Sequence, residues 1–260
     1  MKTMKGGVLK LVGLVLAFFL FVFCRVGSAQ EVKGILAVSA GIVPCVEEIM
    51  TAFVAQGGQP LSIVSGATGK LARQIDSGAP YDIFLSADPK WRKWLEERGH
   101  RMKVEVCAFA KLSIWWPGDS EDKGVSFLSN AVLAVPNPAY AAYGRMAKVY
   151  FEGQGYWEEG LKEGRFIFCD NVPQCVVVVR SKGADAALIP VSAAIKAKGS
   201  YIILEGAGRL ATEAILLGDR VFPNVLEFSR FLRSEKAKGI WKKWGFDVPD
   251  EIMSEKREGL

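Results

Sequence analysis

Histidine is almost missing from this chain: of 260 residues one, His100, carries an imidazole. That sets aside triads and metal centres built on several histidines. Cysteine is sparse at five, well below the density of a disulfide-stapled scaffold, and the spacings match no zinc pattern. A surplus of one charge is lacking too. The formal net charge is +5, but Lys2, Lys5, Lys10 and Arg25 lie in the first 29 residues, which hold no acid. In the remainder 29 basic residues face 28 acidic ones, so the basic footprint of a nucleic-acid partner is missing. No internal repeat, low-complexity tract or glycine-rich linker occurs. What is present is 50% apolar and 23% charged residues, the balance of a folded protein rather than a disordered or collagenous one. The length suffices for one large domain or two smaller ones with their own cores.

The first segment explains the charge asymmetry. Lys2, Lys5 and Lys10 precede an apolar run from Leu11 to Cys24, and Gly27-Ser28-Ala29 follows. Charge, apolar run and small residues in that order read as a secretory signal over residues 1–29. The run of 14 is short for a membrane span of about 20 residues. Cleavage after Ala29 and export to the periplasm or another extracytoplasmic space are expected, with a retained or lipid-bearing anchor as the alternative. Bulky Phe23 before Cys24 speaks against a lipoprotein signal.

From residue 32 onward short apolar strands alternate with amphipathic helices. Gly34–Val38, Leu61–Val64 and Tyr81–Leu85 read as strands; Val43–Ala55, with Pro44 in its first turn, Lys70–Asp76 and the segment from Asp88 to Gly99 read as helices. This is the βαβ signature of a parallel sheet. A second such unit follows: strands at Ala131–Val135, Arg165–Phe168 and Ala186–Ile189, helices at Ala141–Glu152, Gln174–Arg180 and Ser192–Lys198. The apolar run Val104–Trp116 is too long for an ordinary strand and reads as a crossing between lobes. Tyr201–Leu204 reads as the way back, and Asn224–Trp244 carries apolar residues at helical spacing. The expectation is an α/β protein of two lobes, 30–112 with 200–260 forming one and 113–199 the other, each a mainly parallel sheet flanked by helices, with a ligand cleft between them.

In open parallel sheets ligands bind beyond the carboxyl ends of strands, where helices begin. Four such junctions share a chemistry: Ser39-Ala-Gly41, Ser65-Gly-Ala-Thr68-Gly69, the segment from Asn137 through Tyr143 to Gly144, and Asp170-Asn-Val172-Pro173. They are rich in small and hydroxyl residues and mostly uncharged. A helix N-terminus presents unpaired N–H groups and about half a positive charge, so it attracts anions. Neutral donors also select an ionised guest, because an acid proton would leave one donor unpaired. Any one of these loops alone is an ordinary βα turn; four across two lobes predict an oxyanion cleft.

Ser86-Ala-Asp88-Pro-Lys-Trp91, preceded by Gly78-Ala-Pro-Tyr-Asp82-Ile-Phe and Leu71-Ala-Arg73-Gln-Ile75, resembles the molybdate-binding periplasmic proteins of ABC importers. So does Phe228-Ser-Arg-Phe-Leu-Arg-Ser-Glu-Lys-Ala237 with Ile240-Trp and Gly245-Phe246. The resemblance runs from about Gly34 to Phe246. It implies the type II periplasmic-binding fold, two lobes closing by a hinge on a tetrahedral oxyanion, with ABC permease subunits as partners, no cofactor and no catalysis. Carried over by position, the hydroxyl before the second helix falls on Thr68, and a backbone donor on Val172, with Asn171 replacing the usual acid. The first-loop serine falls on Gly41, with Ser39 two residues earlier. A small residue becomes Tyr143, and a tyrosine falls on Pro190, with Ser192 nearby. The ligand residues implied are Ser39, Gly41, Thr68, Tyr143, Val172 and Ser192, holding molybdate or tungstate in a monomer.

Other residues have plainer readings. Lys70 is expected to be solvated and Arg73 to pair with a carbonyl or acid. Asp82 and Asp88 read as a strand-end residue and a helix cap rather than an acid/base pair. Trp91, Trp94, Trp241 and Trp244 read as core anchors, and His100 as a surface residue. Cys45, Cys107, Cys169 and Cys175 read first as buried thiols or one bridge. The alternative functions are a receptor for another oxyanion, one for a metal held by those thiols, and an enzyme on the same scaffold, for which the loops offer no nucleophile–base pair.

Overall fold

The computed structural model describes residues 34–118, 130–218 and 221–250. The signal segment and Cys24 lie outside the described residues, among which no helix is long and apolar enough to cross a membrane.

The first βαβ unit follows the sequence pattern closely. Apolar β1 (Ile35–Ser39) runs through a 3-10 turn (Ala40–Ile42) into α1 (Val43–Ala55), whose start at Val43 and end at Ala55 match the expected helix. Its buried residues Cys45, Val46, Ile49, Met50 and Phe53 recur at helical spacing. β2 (Ser62–Gly66), α2 (Thr68–Asp76), β3 (Ile83–Ser86) and α3 (Pro89–Glu96) complete the unit. Asp88 caps α3, its Oδ1 accepting from Lys90 N at 2.9 Å, and Asp82 Oδ2 accepts from Ile35 N at 2.7 Å.

β4 (Met102–Trp116) then runs through both halves of the sheet. Residues 102–111 pair antiparallel with β9 (Arg209–Leu217), with a bulge between Val106 and Ala108. From Leu112 the partner is β7 (Ala186–Pro190), and Ser113–Trp116 also take β8 (Ser200–Ile203) on the other side. The second unit comprises β5 (Leu133–Pro136), α4 (Ala142–Gly153), α5 (Trp157–Lys162), β6 (Phe166–Cys169), α6 (Val172–Arg180), β7 and α7 (Val191–Ala197). The tail folds as two helices, α8 (Pro223–Phe231) and α9 (Glu235–Lys243), broken at Ser234, whose hydroxyl caps α9 through Ala237 N. The sheet order is β2-β1-β3-β9-β4-β7-β5-β6, with β8 beside β4.

Several features depart from the sequence reading. β9 and α5 were not anticipated, and α6 begins at Val172 rather than Gln174. Tyr201–Leu204 pairs with the far half of β4 before the chain returns through β9. One large apolar core fills the space between sheet and helices, with Trp115, Trp241 and Phe228 fully buried; a smaller cluster gathers Leu71, Phe84, Trp91 and Ile215. Trp91 and Trp241 are thus core anchors, while Trp94 and Trp244 pack at its margins.

Candidate functional site

Four loops converge on one hollow at the carboxyl ends of the parallel strands. Ser39 ends β1 and Ala40 and Gly41 follow it in the 3-10 turn, Ala67 and Thr68 follow β2, Ala141, Ala142 and Tyr143 open α4, and Asn171 and Val172 open α6. No side chain lining it carries a charge, and none of the helices α1, α2, α4 and α6 has an acidic residue in its first turn. The first amides of a helix lack intrahelical acceptors, and the positive ends of α2, α4 and α6 share one small space with the 3-10 turn that leads into α1. Close approach is built in: a Cβ on Gly144 would sit 1.7 Å from the Pro136 carbonyl oxygen, so only glycine lets α4 start this close to β5. The free space is ≈ 10 Å³, roughly what a single water needs. A guest of several atoms therefore enters only as the loops part.

The expected site residues do not all face this space in the same way. Thr68 and Ser39 are buried with their hydroxyls 2.9 Å apart. Ser39 Oγ also donates to Leu85 O at 3.0 Å and accepts from Ala87 N at 3.1 Å. A hydroxyl has one proton, so while Ser39 gives its own to Leu85, Thr68 is the donor between the two. Ser192 is outside the hollow; its Oγ donates to Gly41 O at 2.9 Å and fixes the first loop from across the sheet. Pro190 lies against that loop as well, its Cγ 3.0 Å from where a Cβ of Gly41 would be. Tyr143 is 2% exposed, and its Oη has no hydrogen-bond partner among the described residues. Burial, reinforced by Cys45 and Asp88, pushes the phenol well above its ordinary value, so it is a neutral donor.

Around the hollow the two halves of the sheet are joined by their own groups. Gly69 N donates to Tyr140 O at 2.8 Å. Lys70 is exposed, as expected, and from the surface it pairs with Asp170 at 3.0 Å and lies 4.7 Å over the Tyr140 ring. Asp170 also accepts from Tyr140 Oη at 2.8 Å, and these two partners hold its carboxyl below the ordinary range. Arg145 of α4 donates to both oxygens of Asp88, which is buried to 1%. These contacts escape sequence reading because partners such as Lys70 and Asp170 are 100 residues apart; the clue available was that each lies beside a candidate loop. Arg73 lies over the Trp91 ring at 5.3 Å, and His100 Nε2 is 3.0 Å from Asp76.

The cysteines follow the favoured expectation: Cys45, Cys107, Cys169 and Cys175 are buried and free. Burial pushes the Cys107 thiol up to about 12 and raises Cys45 further. Among the described residues no group of three or more His, Cys, Asp or Glu side chains is placed to hold a metal. A larger groove of ≈ 670 Å³ is lined by Lys90, Lys93, Trp94 and Phe109. Its two arginines are already paired, Arg145 with Asp88 in the groove wall and Arg209 with Asp247, so the small hollow is the better binding candidate.

Comparison with known proteins places this architecture. The molybdate-binding protein ModA of Escherichia coli is 23% identical over 244 residues, spanning 87% of this chain and 94% of that one. Among solved structures, the Azotobacter vinelandii periplasmic molybdate-binding protein superposes with a TM-score of 0.75 at 24% identity, covering 84% of this chain and all of that one. The sulfate-binding protein SubI of Mycobacterium tuberculosis gives 0.66 at 15% identity, covering 87% and 90%. Both fall in the range where likeness speaks for the fold, a two-lobed binding protein. Residues 35–247 match the family model described as bacterial extracellular solute-binding protein, and the chain belongs to that family.

Proposed function

We propose that this chain is the extracytoplasmic receptor of an ABC importer and that it captures a tetrahedral oxyanion, molybdate or tungstate, without catalysing a reaction. The observation that carries the reading is the meeting of three helix N-termini and a 3-10 turn around one uncharged hollow. Partial positive charge and unpaired amides there suit a divalent guest that brings acceptors and no protons. The molybdate-binding relatives support the choice of anion.

In this proposal the lobes are 30–112 with 200–260, and 113–199. The change of β4 partners between Lys111 and Leu112 supports the first boundary, while Ser200–Ile203 still lies beside the second lobe at the return. Thr68 gives a hydroxyl and an amide; Gly41 and Val172 give amides; Tyr143 Oη, unpartnered as it stands, gains the anion as acceptor. Ser39 and Ser192 act behind them. When Ser39 swings its proton from Leu85 O to Thr68, the Thr68 proton is released toward the guest. Ser192 holds the Gly41 carbonyl and with it the loop. The chain works as a monomer in the periplasm, released from its 1–29 signal, and permease subunits read the closed form.

Calorimetry on the chain lacking residues 1–29 tests this directly. One site for molybdate and tungstate, with weaker or no binding of sulfate and phosphate, is the expected result. No heat with any tetrahedral oxyanion removes the proposal. A preference for sulfate favours the second reading, another oxyanion in the same fold.

A further inference from the structure

Gly245 lies just beyond α9 with φ +79, in the left-handed region that suits glycine. A Cβ there would stand 2.3 Å from Val191 Cγ1, 3.1 Å from Val191 Cβ and 3.6 Å from Ile195 Cδ1, so the bare backbone of this turn seats α7. Val191 is buried, and the next residue is Ser192, whose Oγ donates to Gly41 O. The start of α7 thus meets bare backbone at two places, Gly245 through Val191 and Gly41 through Pro190 and Ser192. The turn is itself well tied. Trp244 Nε1 donates to Glu48 Oε2 of α1 at 2.8 Å, and Lys243 pairs with the same carboxylate. Phe109 N donates to Asp247 O at 2.8 Å, Asp247 N donates to Phe109 O at 3.0 Å, and the Asp247 carboxylate pairs with Lys111 and Arg209. The turn therefore holds α1, which leaves the Gly41 loop, and α7, which touches that loop, against the crossing strand β4. No role proposed above uses it.

We infer that Gly245 is a positioning residue of the oxyanion site: its turn sets the start of α7 through Val191, and Ser192 passes that setting to the Gly41 loop. What the setting serves rests on the oxyanion reading; the chain of contacts does not. Gly245 is not among the residues that line the hollow, so it acts on a guest through this chain alone. Close packing transmits a shift at Val191 rather than absorbing it. The Ser192–Gly41 bond, at 2.9 Å, has little slack: a displacement of about 0.5 Å takes it beyond the range of a good O–H···O bond. Gly41 has no side chain with which to hold its own loop. With its carbonyl fixed by Ser192, its amide faces the guest already ordered; without that bond the ordering is charged to capture and the affinity falls.

The test is hydrogen exchange on the full chain without added anion. In Gly245→Ala the amides of residues 40–43 are expected to exchange about tenfold faster, while those of β2 and α2 keep the parent's rates. Gly57→Ala is the control: Gly57 has φ +91 but nothing within 4 Å of an added Cβ, so it brings the backbone strain without the contact and should leave the loop unchanged. Adding Val191→Ala to Gly245→Ala removes the nearest atom and should return the loop most of the way to the parent's rate. Titration with tungstate reads the consequence. Gly245→Ala should bind about tenfold more weakly, and adding Ser192→Ala should cost little more than either change alone. Should Gly245→Ala not fold, Val191→Ala by itself decides, since emptying the seat should free the same amides. The inference is overturned if those amides keep the parent's rate, if exchange rises equally along the whole chain, or if the Gly245 and Ser192 effects add in full. A chain that binds no tetrahedral oxyanion removes the proposed function, and the exchange rates still decide the positioning.

Discussion

A Cβ placed on Gly41 would stand 2.6 Å from Tyr143 Cε2 and 3.0 Å from Cδ2. The side chain missing from one loop is thus the room taken by the ring of the other, and the two residues depend on each other across the cleft. Gly41→Ser should cost about 1–3 kcal/mol of the closed state, as overpacked sites do, and weaken oxyanion binding by roughly 10- to 100-fold. Adding Tyr143→Ala to it should restore much of the loss. A calorimetric double-mutant cycle reads the coupling; strictly additive effects would show that the ring and the loop act independently.

Tyr143 Oη separates bulk from chemistry. A buried hydroxyl without a partner costs about 1–3 kcal/mol, so Tyr143→Phe should melt at a higher temperature than the parent when no ligand is present. The same change should weaken tungstate binding by about tenfold, one donor's worth. Higher stability with unchanged affinity would leave the tyrosine as filler only.

Much of this was legible in the sequence. Val43–Ala55 was readable because its apolar residues hold a helical period behind Pro44. That Val104–Trp116 is longer than an ordinary strand was readable, and β4 does change partner from β9 to β7 along its length. β9 was not, since Thr212 and Glu213 are buried in its middle and break the apolar pattern; Glu213 is tolerated there because Arg92 reaches both its oxygens at 3.1 Å. α5 escaped because six residues including Gly160 give too little periodicity. The candidate loops were legible as small and hydroxyl residues before helices. Which way Ser39 and Ser192 turn was not, because Leu85 and Gly41, the carbonyls that take their protons, are set by tertiary packing.

The Ser39 arrangement carries its own prediction. If its proton must leave Leu85 O for Thr68 to serve the guest, then Ser39→Ala should cut affinity by about three- to tenfold although Ser39 is not asked to touch the anion. Thr68→Val should cost more, about 10- to 30-fold. Equal affinities in the parent and Ser39→Ala would remove the relay.

Asp88 and Arg145 join the two halves more strongly than the exposed Lys70–Asp170 pair. Arg145→Met leaves the Asp88 carboxylate buried without its cation, a defect worth about 3–5 kcal/mol when both partners are buried. Arg145 keeps about a third of its side chain in solvent, 32%, so roughly 2–3 kcal/mol is expected after screening. Denaturant unfolding measures it; a change below about 0.5 kcal/mol would show that Asp88 is held by the α3 amides alone.

Lys70 and Asp170 set a pH signature at the rim. The Tyr140 phenol and the Lys70 ammonium hold the Asp170 carboxyl below its ordinary value. A carboxyl with a depressed folded value contributes stability that is fully present above its unfolded value and is lost as pH falls through the folded one. The melting-temperature gap between the parent and Asp170→Asn should therefore be constant from neutrality down to about pH 5, then close as pH falls below about 4. Because the pair is exposed, the gap should be small and shrink further in high salt. Lys70→Ala should speed oxyanion release by no more than about fivefold at low salt, and the difference should fade as salt is raised. A gap that widens on acidification would mean that Asp170 is ionised against its surroundings, and the rim bridge would lose its role in holding the cleft.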